Sequence, residues 1–489
     1  MGKNILLIQP PLLKQEMDVD DIQKGYWNTL NTKMAHIGKE NGLNIELGKN
    51  GFIEPNIGLF YIAAVLKRSG YNIEYVDAFV HDVQVRAEKK RPIHSDDIKG
   101  LLKELPNESI HIAAISALTV NIGWAIEIGK MLKEINEKII VILGGAHASF
   151  EYQNILEHEN CIDIISVGEG EEAILEIADL LYENEFTLEN LDKVSGVAYK
   201  QGGAIHFTGA RPYIEDLDSL PYPLYELLPK EVMDSLLVRV VTSRGCSNNC
   251  SFCIPSKMFH NLRFRNPVSV VDELEYYNHT YGWEVFMIGD LNFLSDYKYA
   301  KIFCNELIKR KLPIHWICQS RVDLIDEEIT KLMHEAGCIM ICLGIESAEP
   351  EILKNSNKNI ELDRSIAACN IVKKANMSLY TYWVFGLPGE THDSAHATIK
   401  LLRRLIDEKL IDYTHCTVCV PFPGSELYRH PSEFKINILT NQFEDYWMGC
   451  DYLGAGLPVM ETEELSNYEI YAYWMMALAV VAGNLLKNE

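Results

Sequence analysis

Leu237-Val238-Arg239-Val240-Val241-Thr242 runs straight into Ser243-Arg244-Gly245-Cys246-Ser247-Asn248-Asn249-Cys250-Ser251-Phe252-Cys253-Ile254-Pro255. The first six residues form a mostly apolar run of strand length, and the turn after them carries three cysteines in the spacing C-x3-C-x2-C. Five more strand-length runs follow at 284–289, 315–320, 338–346, 378–385 and 413–420, with helical stretches between them. Six βα units are too few to close an eight-stranded barrel, so the expectation is a partial (β/α)6 barrel of the TIM type with an open side. Such folds keep their chemistry at the carboxyl ends of the strands, where the cysteine triplet lies.

Upstream, apolar runs at 4–9, 72–77, 111–118, 139–145 and 162–168 alternate with helical stretches centred near Ala64, Leu101, Ile128, Asn154 and Ile177. That alternation predicts a parallel sheet covered on both faces, a doubly wound α/β domain of the Rossmann-like or flavodoxin-like kind, over residues 1–209. Its last part, 194–209, is broken by Gly202-Gly203 and reads as an appended hairpin. The stretch Arg211-Pro212-Tyr213-Ile214-Glu215-Asp216-Leu217-Asp218-Ser219-Leu220-Pro221-Tyr222-Pro223 combines three prolines with acidic residues, which assigns 210–236 as a linker. The partial barrel then spans 237–428, and 429–489 is a mainly helical cap. Within the cap, 470–483 is almost wholly apolar. At 1.5 Å per residue its length is roughly 21 Å against a bilayer core of about 30 Å, so a buried helix is expected and no membrane span.

The chain has 489 residues, enough for about three domains with cores of their own. Its 45 Lys plus Arg against 69 Asp plus Glu give 45 − 69 = −24, a field that repels phosphate backbones and argues against nucleic acid as a partner. The opening Met1-Gly2-Lys3-Asn4 leads directly into Ile5-Leu6-Leu7-Ile8 without a signal-peptide cleavage site, so a cytoplasmic location is expected. Twelve cysteines in such a chain are then thiols or metal ligands rather than disulfides.

Three thiolates on one short loop can wrap three irons of a 4Fe-4S cluster and leave the fourth iron open to substrate or cofactor. The bland alternatives are three buried thiols sharing a loop, or a zinc site lacking its fourth ligand. At these residues the chain resembles the radical S-adenosylmethionine superfamily, which has the same triplet with an aromatic, here Phe252, before the third cysteine. The resemblance continues through Ile288-Gly289-Asp290, Gln319-Ser320-Arg321-Val322-Asp323, Gly344-Ile345-Glu346-Ser347 and Phe385-Gly386-Leu387-Pro388-Gly389-Glu390-Thr391, and through the turn Pro421-Phe422-Pro423-Gly424-Ser425. It implies Cys246, Cys250 and Cys253 as cluster ligands. It further implies Phe252, Gly289, Asp290, Gln319, Arg321, Glu346, Ser347 and Phe385 as contacts to S-adenosylmethionine or substrate. Many members present Gly-Gly-Glu on the second strand where this chain has Gly289-Asp290.

In the first domain, Ser116-Ala117-Leu118-Thr119 and Gly144-Gly145-Ala146-His147 end the third and fourth strands, where open α/β sheets bind ligands. They resemble the S-x-L and G-G motifs of cobalamin-binding domains. Pro55-Asn56-Ile57-Gly58-Leu59 and Gly168-Glu169-Gly170-Glu171 likewise resemble the cobalamin-dependent branch of the radical superfamily. The resemblance implies Ser116, Leu118, Thr119, Gly144, Gly145, Ala146, His147, Gly168 and Glu169 as the cobalamin contacts. The usual D-x-H-x-x-G motif is absent, and His36 lacks its neighbours, so cobalamin is expected base-off with no protein histidine on cobalt.

Taken together, the resemblance implies a cobalamin-dependent radical S-adenosylmethionine methyltransferase. In such an enzyme a 5'-deoxyadenosyl radical takes hydrogen from an unactivated carbon and methylcobalamin donates the methyl group. Cyclisation, ring contraction or oxidation without methyl transfer is the alternative. The implied partners are a small-molecule or peptide substrate and an electron donor such as ferredoxin or flavodoxin. Cys416-Thr417-Val418-Cys419 reads as two buried thiols, because i and i+3 on a strand point to opposite faces. Tyr380, Tyr382, Trp383 and His415 are candidates for substrate contact or core packing alike, as are Tyr446-Trp447-Met448 and residues 471–474 in the cap.

Overall fold

The computed structural model describes residues 3–11, 56–89, 91–106, 109–183, 185–233, 237–259, 261–449 and 457–485. His36 and Pro55 lie outside them, as do the side chains of Trp447 and Met448. The described residues divide into two compact units, with the boundary at Leu237.

The first unit is built on strands β1 (Asn4–Gln9), β2 (Asn72–Asp77), β3 (Ile110–Ser116), β4 (Ile140–Gly144), β5 (Ile164–Ser166), β6 (Val197–Gln201) and β7 (Ala204–Phe207). They form one sheet in the order β2-β1-β3-β4-β5-β6-β7, parallel through β5 and antiparallel for the last two pairs. Ile5, Leu6, Leu7 and Ile8 are all fully buried, as a central strand covered on both faces requires. Helix Ile57–Arg68 starts where the Asn56 side chain accepts from Leu59 N (3.3 Å), and it buries Leu59, Phe60, Ala63, Ala64 and Leu66. Beside it on the same face of the sheet, helix Glu171–Tyr182 buries Ile174, Ile177 and Ala178. The five anticipated helices are present. A further one, Ala78–Lys89, was not foreseen, because its polar composition hides the apolar stripe.

The stretch assigned as a linker belongs to this unit. Leu224 N donates to Phe60 O (3.2 Å), the Tyr225 ring meets Phe60 edge-on at 5.3 Å, and Arg68 donates to Ser219 O (2.8 Å). Its prolines suppress regular structure without freeing the chain, because Ile214, Leu217, Tyr225 and Leu228 are buried as apolar anchors.

The second unit holds β8 (Val238–Val240), the short pair β9 (Ser243–Arg244) and β10 (Arg263–Phe264), then β11 (Val285–Ile288), β12 (His315–Arg321), β13 (Cys338–Glu346), β14 (Ser378–Phe385) and β15 (Tyr413–Val418). Its main sheet runs β15-β14-β13-β12-β11-β8, every pair parallel, which is the six-stranded partial barrel. Four of the crossover helices are started by a side chain that the sequence supplies, whereas Leu362–Lys374, between β13 and β14, has no side-chain cap. Asn266 accepts from Val268 N ahead of Pro267, and Asp296, Asp326 and Thr391 cap the helices that follow them.

Register sorts the strands into two faces. Phe286 and Trp316 lie toward the helices, where Trp316 meets Phe303 of helix Tyr297–Arg310. The concave face carries, in successive rows, Arg239, Met287, Ile317 and Met340, then Gln319, Cys342, Tyr380 and Tyr413, then Arg321, Gly344, Tyr382 and His415.

After the barrel come a two-stranded ribbon, β16 (Ile436–Ile438) and β17 (Met460–Thr462), and helix Asn467–Leu485. The helix buries Ile470, Tyr473, Trp474 and Ala477, and Trp474 Nε1 donates to Cys416 O (2.7 Å). Among the described residues no helix is long and apolar enough to cross a membrane.

Candidate functional site

The cysteine loop is closed at its base by the β9–β10 pair. Gly245 makes the turn at φ +103°, and a Cβ there would fall 2.5 Å from Asn261 O, so only glycine fits. Ser251 N donates to Ser356 O (3.0 Å), Leu427 N donates to Ser251 O (3.3 Å), and Cys253 N turns back to Cys250 O (3.1 Å). The Phe252 ring packs on the apolar cluster of Ile352, Leu387, Leu427 and Met460. Packed there, the ring anchors the loop.

Cys246, Cys250 and Cys253 are all partly exposed and unpaired. Burial pushes the Cys253 thiol up to about 12, and it raises Cys250 against the pull of Lys358 and Arg321. Thiols this reluctant to ionise become thiolates when metal replaces the proton, which fits three sulfur ligands on a fixed loop. Among the described residues no three His, Cys, Asp or Glu side chains converge as ligands of one ion would. A cluster with separate irons does not require them to converge.

Around this loop stand the strand ends. Asp290, fully buried after β11, accepts four hydrogen bonds: Thr242 N (2.7 Å) and Ser243 N (3.0 Å) on Oδ1, and the Thr242 and Ser243 hydroxyls on Oδ2. The carboxylate, implied by the resemblance as a contact to S-adenosylmethionine or substrate, is bonded here to the two residues that lead into the cysteine loop. Gly289 lies beneath the Arg239 stem, where a Cβ would sit 2.6 Å from Arg239 Cγ. Arg321 ends β12 with Nη1 at 3.9 Å from Cys250 Sγ.

Glu346 sits where the β13–β14 register slips, at φ +67°. A non-glycine residue held there costs about 1–3 kcal/mol, and such strain concentrates at functional sites. Lys358 Nζ pairs with Glu346 Oε1 (2.5 Å) and donates to Gly344 O (3.0 Å), while Glu346 Oε2 is buried without a hydrogen-bond partner. A Cβ on Gly344 would fall 2.2 Å from Glu346 Oε1, so this glycine is the floor of the ion pair. Gln319 shares the Arg321 face, one row below.

The side chains of two other residues implied as contacts are packed inward. Ser347 is buried, with Oγ 3.2 Å from Thr398 Oγ1. Phe385 is fully buried on the helix side of β14, and its carbonyl accepts from Cys419 N (2.7 Å).

In the turn after β14, Glu390 is fully buried and Oε2 accepts from Gly386 N (2.5 Å). Burial pushes its carboxyl up to about 8, against the opposing pull of the Gly386 N–H. The folded group thus stays protonated while an unfolded one ionises near its ordinary value of 4.5. The stability it contributes is complete below pH 4.5 and declines as pH rises to about 8, by about 1.4 kcal/mol per unit. Glu390→Gln keeps the acceptor and removes the titration. It is expected to be more stable than the parent at pH 8, by roughly 2–5 kcal/mol, and little changed at pH 5. Urea unfolding at both pH values checks this, and an equal difference at the two would refute it.

In the first unit, the order β2-β1-β3 puts a topological switch point between β1 and β3. Asn56 bridges it, donating to Gln9 Oε1 (2.6 Å) and Ser116 Oγ (2.8 Å). Leu118 N donates to Asn121 Oδ1 (2.7 Å), and the Leu118 side chain is 44% exposed, an apolar contact offered at the carboxyl end of the sheet. Gly144 is open, with only Ser166 Cβ within 4 Å of an added Cβ, at 3.9 Å. Gly145, at φ +100°, has a different reason: its Cβ would fall 2.5 Å from Ala117 O, so it lets the two loops touch. Ala146 begins helix Ala146–His158, and Gly168, at φ +93°, has open space where a Cβ would stand.

Thr119, His147 and Glu169 face inward. His147 is 1% exposed with Nδ1 at 3.2 Å from Thr119 Oγ1, and burial lowers its pKa to about 4, so the ring is neutral. Glu169 Oε2 accepts from Ile214 N (2.9 Å), which ties down the former linker. The exposed Leu118, the open Gly144 and the buried Ser166 Oγ without a partner fit a large ligand with both apolar and polar edges.

Sequence reasoning missed Lys358 and the concave Arg239. The run Asn355-Ser356-Asn357-Lys358-Asn359 signals a turn, and Asn357 and Asn359 do take positive φ, but nothing in it signals a buried lysine. Tyr380, Tyr382 and His415 share the concave face, whereas Trp383 is buried on the other side with Nε1 donating to Thr381 Oγ1 (3.0 Å). Cys416 and Cys419 are both buried, as their spacing suggested.

Two family models match this sequence: the Radical SAM superfamily over residues 240–402 and the B12 binding domain over 45–178. An uncharacterized methyltransferase of Pyrococcus horikoshii is 32% identical over 384 residues, covering 78% of this chain and 79% of that protein. An anaerobic magnesium-protoporphyrin IX monomethyl ester cyclase of Rubrivivax gelatinosus is 29% identical over 427 residues, covering 85% and 71%. Among solved structures, the radical S-adenosylmethionine methyltransferase TsrM of Kitasatospora setae, with cobalamin and 4Fe-4S cluster bound, superimposes with TM-score 0.71 at 16% identity, covering 98% of this chain and 91% of that one. At that identity the likeness is one of fold.

Proposed function

The chain belongs to the radical SAM superfamily, in the branch that carries a B12-binding domain, and from that premise we propose that it is a cobalamin-dependent methyltransferase acting on an unactivated carbon. The observation that carries the reading is the cysteine loop at the end of β8, ringed by Arg321, Lys358 and a Glu346 carboxylate with one oxygen to spare. When bound, the cluster and S-adenosylmethionine supply a radical able to take hydrogen from such a carbon, and cobalamin supplies the methyl group.

Cys246, Cys250 and Cys253 would hold three irons and leave the fourth to S-adenosylmethionine. Glu346 Oε2 would accept a hydroxyl or ammonium of that ligand, and Lys358 holds the carboxylate in place through Oε1. Asp290 fixes the loop from below. In the first unit, the loops of Ser116–Leu118 and Gly144–Gly145 would line the cobalamin, base-off and without a protein histidine on cobalt. A small-molecule or peptide substrate fits the concave face beside Tyr380, Tyr382 and His415, and a ferredoxin or flavodoxin would deliver electrons in the cytoplasm.

The relationship to ring-forming cyclases supports a second reading, cyclisation, ring contraction or oxidation without methyl transfer. S-adenosylmethionine labelled in its methyl group separates the two without knowledge of the substrate. Under anaerobic reduction, methyl transfer predicts label in the corrinoid fraction and an equal amount of S-adenosylhomocysteine. Release of 5'-deoxyadenosine with no label in the corrinoid would refute it.

A further inference from the structure

Arg321 is held by three hydrogen bonds to two residues before it reaches the cysteine loop. Asp323 takes two of its nitrogens, Nε on Oδ1 (2.9 Å) and Nη2 on Oδ2 (3.2 Å), and the Lys358 carbonyl takes Nη2 as well (2.8 Å). The remaining Nη1 faces Cys250 Sγ at 3.9 Å. The turn that supplies the Lys358 carbonyl also carries the loop itself, through Ser251 N on Ser356 O (3.0 Å). Loop and guanidinium are therefore referenced to the same few backbone atoms. Lys358 cannot drift, because its ammonium is fastened to Gly344 O and Glu346, and its own charge is balanced there. On the far side, the Asp323 side chain is 39% exposed whereas Cys250 is only partly exposed, so water screens the carboxylate more than the sulfur.

We propose that Arg321 raises the reduction potential of the iron–sulfur cluster through the Cys250 sulfur, and that Asp323 and Lys358 are the positioning residues that aim it. The inference rests on the cluster reading of the three cysteines. Loading the cluster takes one electron from an external one-electron reductant and makes it one unit more negative. A cation and N–H donor at a ligand sulfur stabilises that added charge, and hydrogen bonds to sulfur and local charge are among the factors that set such potentials. Neither Asp323 nor Lys358 needs to touch a cofactor to matter. Asp323 removes two alternative directions for the planar fork, and the Lys358 carbonyl fixes the third.

The test is a potentiometric titration of the reconstituted full chain, followed by electron paramagnetic resonance of the reduced cluster, without S-adenosylmethionine. Working without that ligand separates an effect on the cluster from any contact Arg321 makes to it. Arg321→Met is expected to keep the parent iron content and to shift the midpoint downward by at least tenfold in the one-electron equilibrium, about 59 mV. Arg321→Lys should fall between parent and Arg321→Met, and Asp323→Asn should shift the same way by less. A parent midpoint in Arg321→Met at full iron content overturns the proposal. If Arg321→Met does not hold iron, Arg321→Lys and Asp323→Asn decide, and parent midpoints in both overturn it. A parent chain that binds no iron would instead remove the cluster reading.

Discussion

Cys250→Ser is expected to abolish reductive cleavage of S-adenosylmethionine, with 5'-deoxyadenosine release falling to background and iron content falling well below that of the parent. The middle cysteine of the triplet is the most heavily constrained. Its sulfur faces Arg321, and its carbonyl accepts the turn from Cys253 N (3.1 Å). A serine hydroxyl holds its proton far more tightly than a thiol and is a poor soft ligand, so the loop keeps its shape and loses a corner of the cluster.

The control is Cys419→Ala. That thiol is buried in the apolar cluster of Ile352, Val384 and Leu387 under the loop, and burial makes it harder to ionise. Removing it leaves a small cavity worth roughly 1 kcal/mol and is expected to leave the iron content unchanged. Iron analysis, the visible spectrum and chromatographic deoxyadenosine assay distinguish the two. Full iron content and parent turnover in Cys250→Ser would mean that these cysteines are not the ligands.

The succession of strands along the chain and the place of the cysteine loop are legible because each rests on a local pattern. Ile5 to Ile8 is a continuous apolar run, as a strand buried on both faces must be, and the nine residues of β13 were bounded as found. What escaped were features set by contacts distant in sequence. The run 210–236 has the composition of a linker, yet its few apolar residues dock on helix Ile57–Arg68 through Leu224 and Tyr225. Gly145 belongs to a motif recognised by its sequence, but the close approach of Ala117 O to its Cβ position shows only in the fold.

The candidate site divides the same way. Cys246, Cys250 and Cys253 are bound together by their spacing, but the direction in which a side chain points at a strand end is decided by its neighbours. Thus Phe385 and Ser347 turn to the helices, while Arg321 and Glu346 turn to the loop. Lys358 carries no motif at all. It joins the site because the turn on which it rides is hydrogen-bonded to the cysteine loop.

Asp290→Ala is expected to destabilise the barrel unit by roughly 3–5 kcal/mol and to prevent cluster assembly, although no cysteine is altered. With the carboxylate gone, the Thr242 and Ser243 N–H groups and both hydroxyls lose their acceptor in a fully buried position. Each unpaired buried group costs about 1–3 kcal/mol, and the hydroxyls can recover part of it by turning to one another or to solvent let in by the cavity.

Asp290→Asn is the discriminating variant. Its remaining oxygen still accepts the two backbone N–H groups, and the Thr242 and Ser243 hydroxyls can rotate to accept from the new amide. It should therefore fold, hold iron at the parent level and bind S-adenosylmethionine at the parent affinity. A contact to the methionine ammonium predicts a different pattern, parent stability and iron content with weakened binding. Thermal unfolding, iron analysis and equilibrium dialysis of S-adenosylmethionine on the two variants thus separate a clamp on the cysteine loop from a ligand of the cofactor. Weakened binding in Asp290→Asn, together with parent stability in Asp290→Ala, would overturn the clamp.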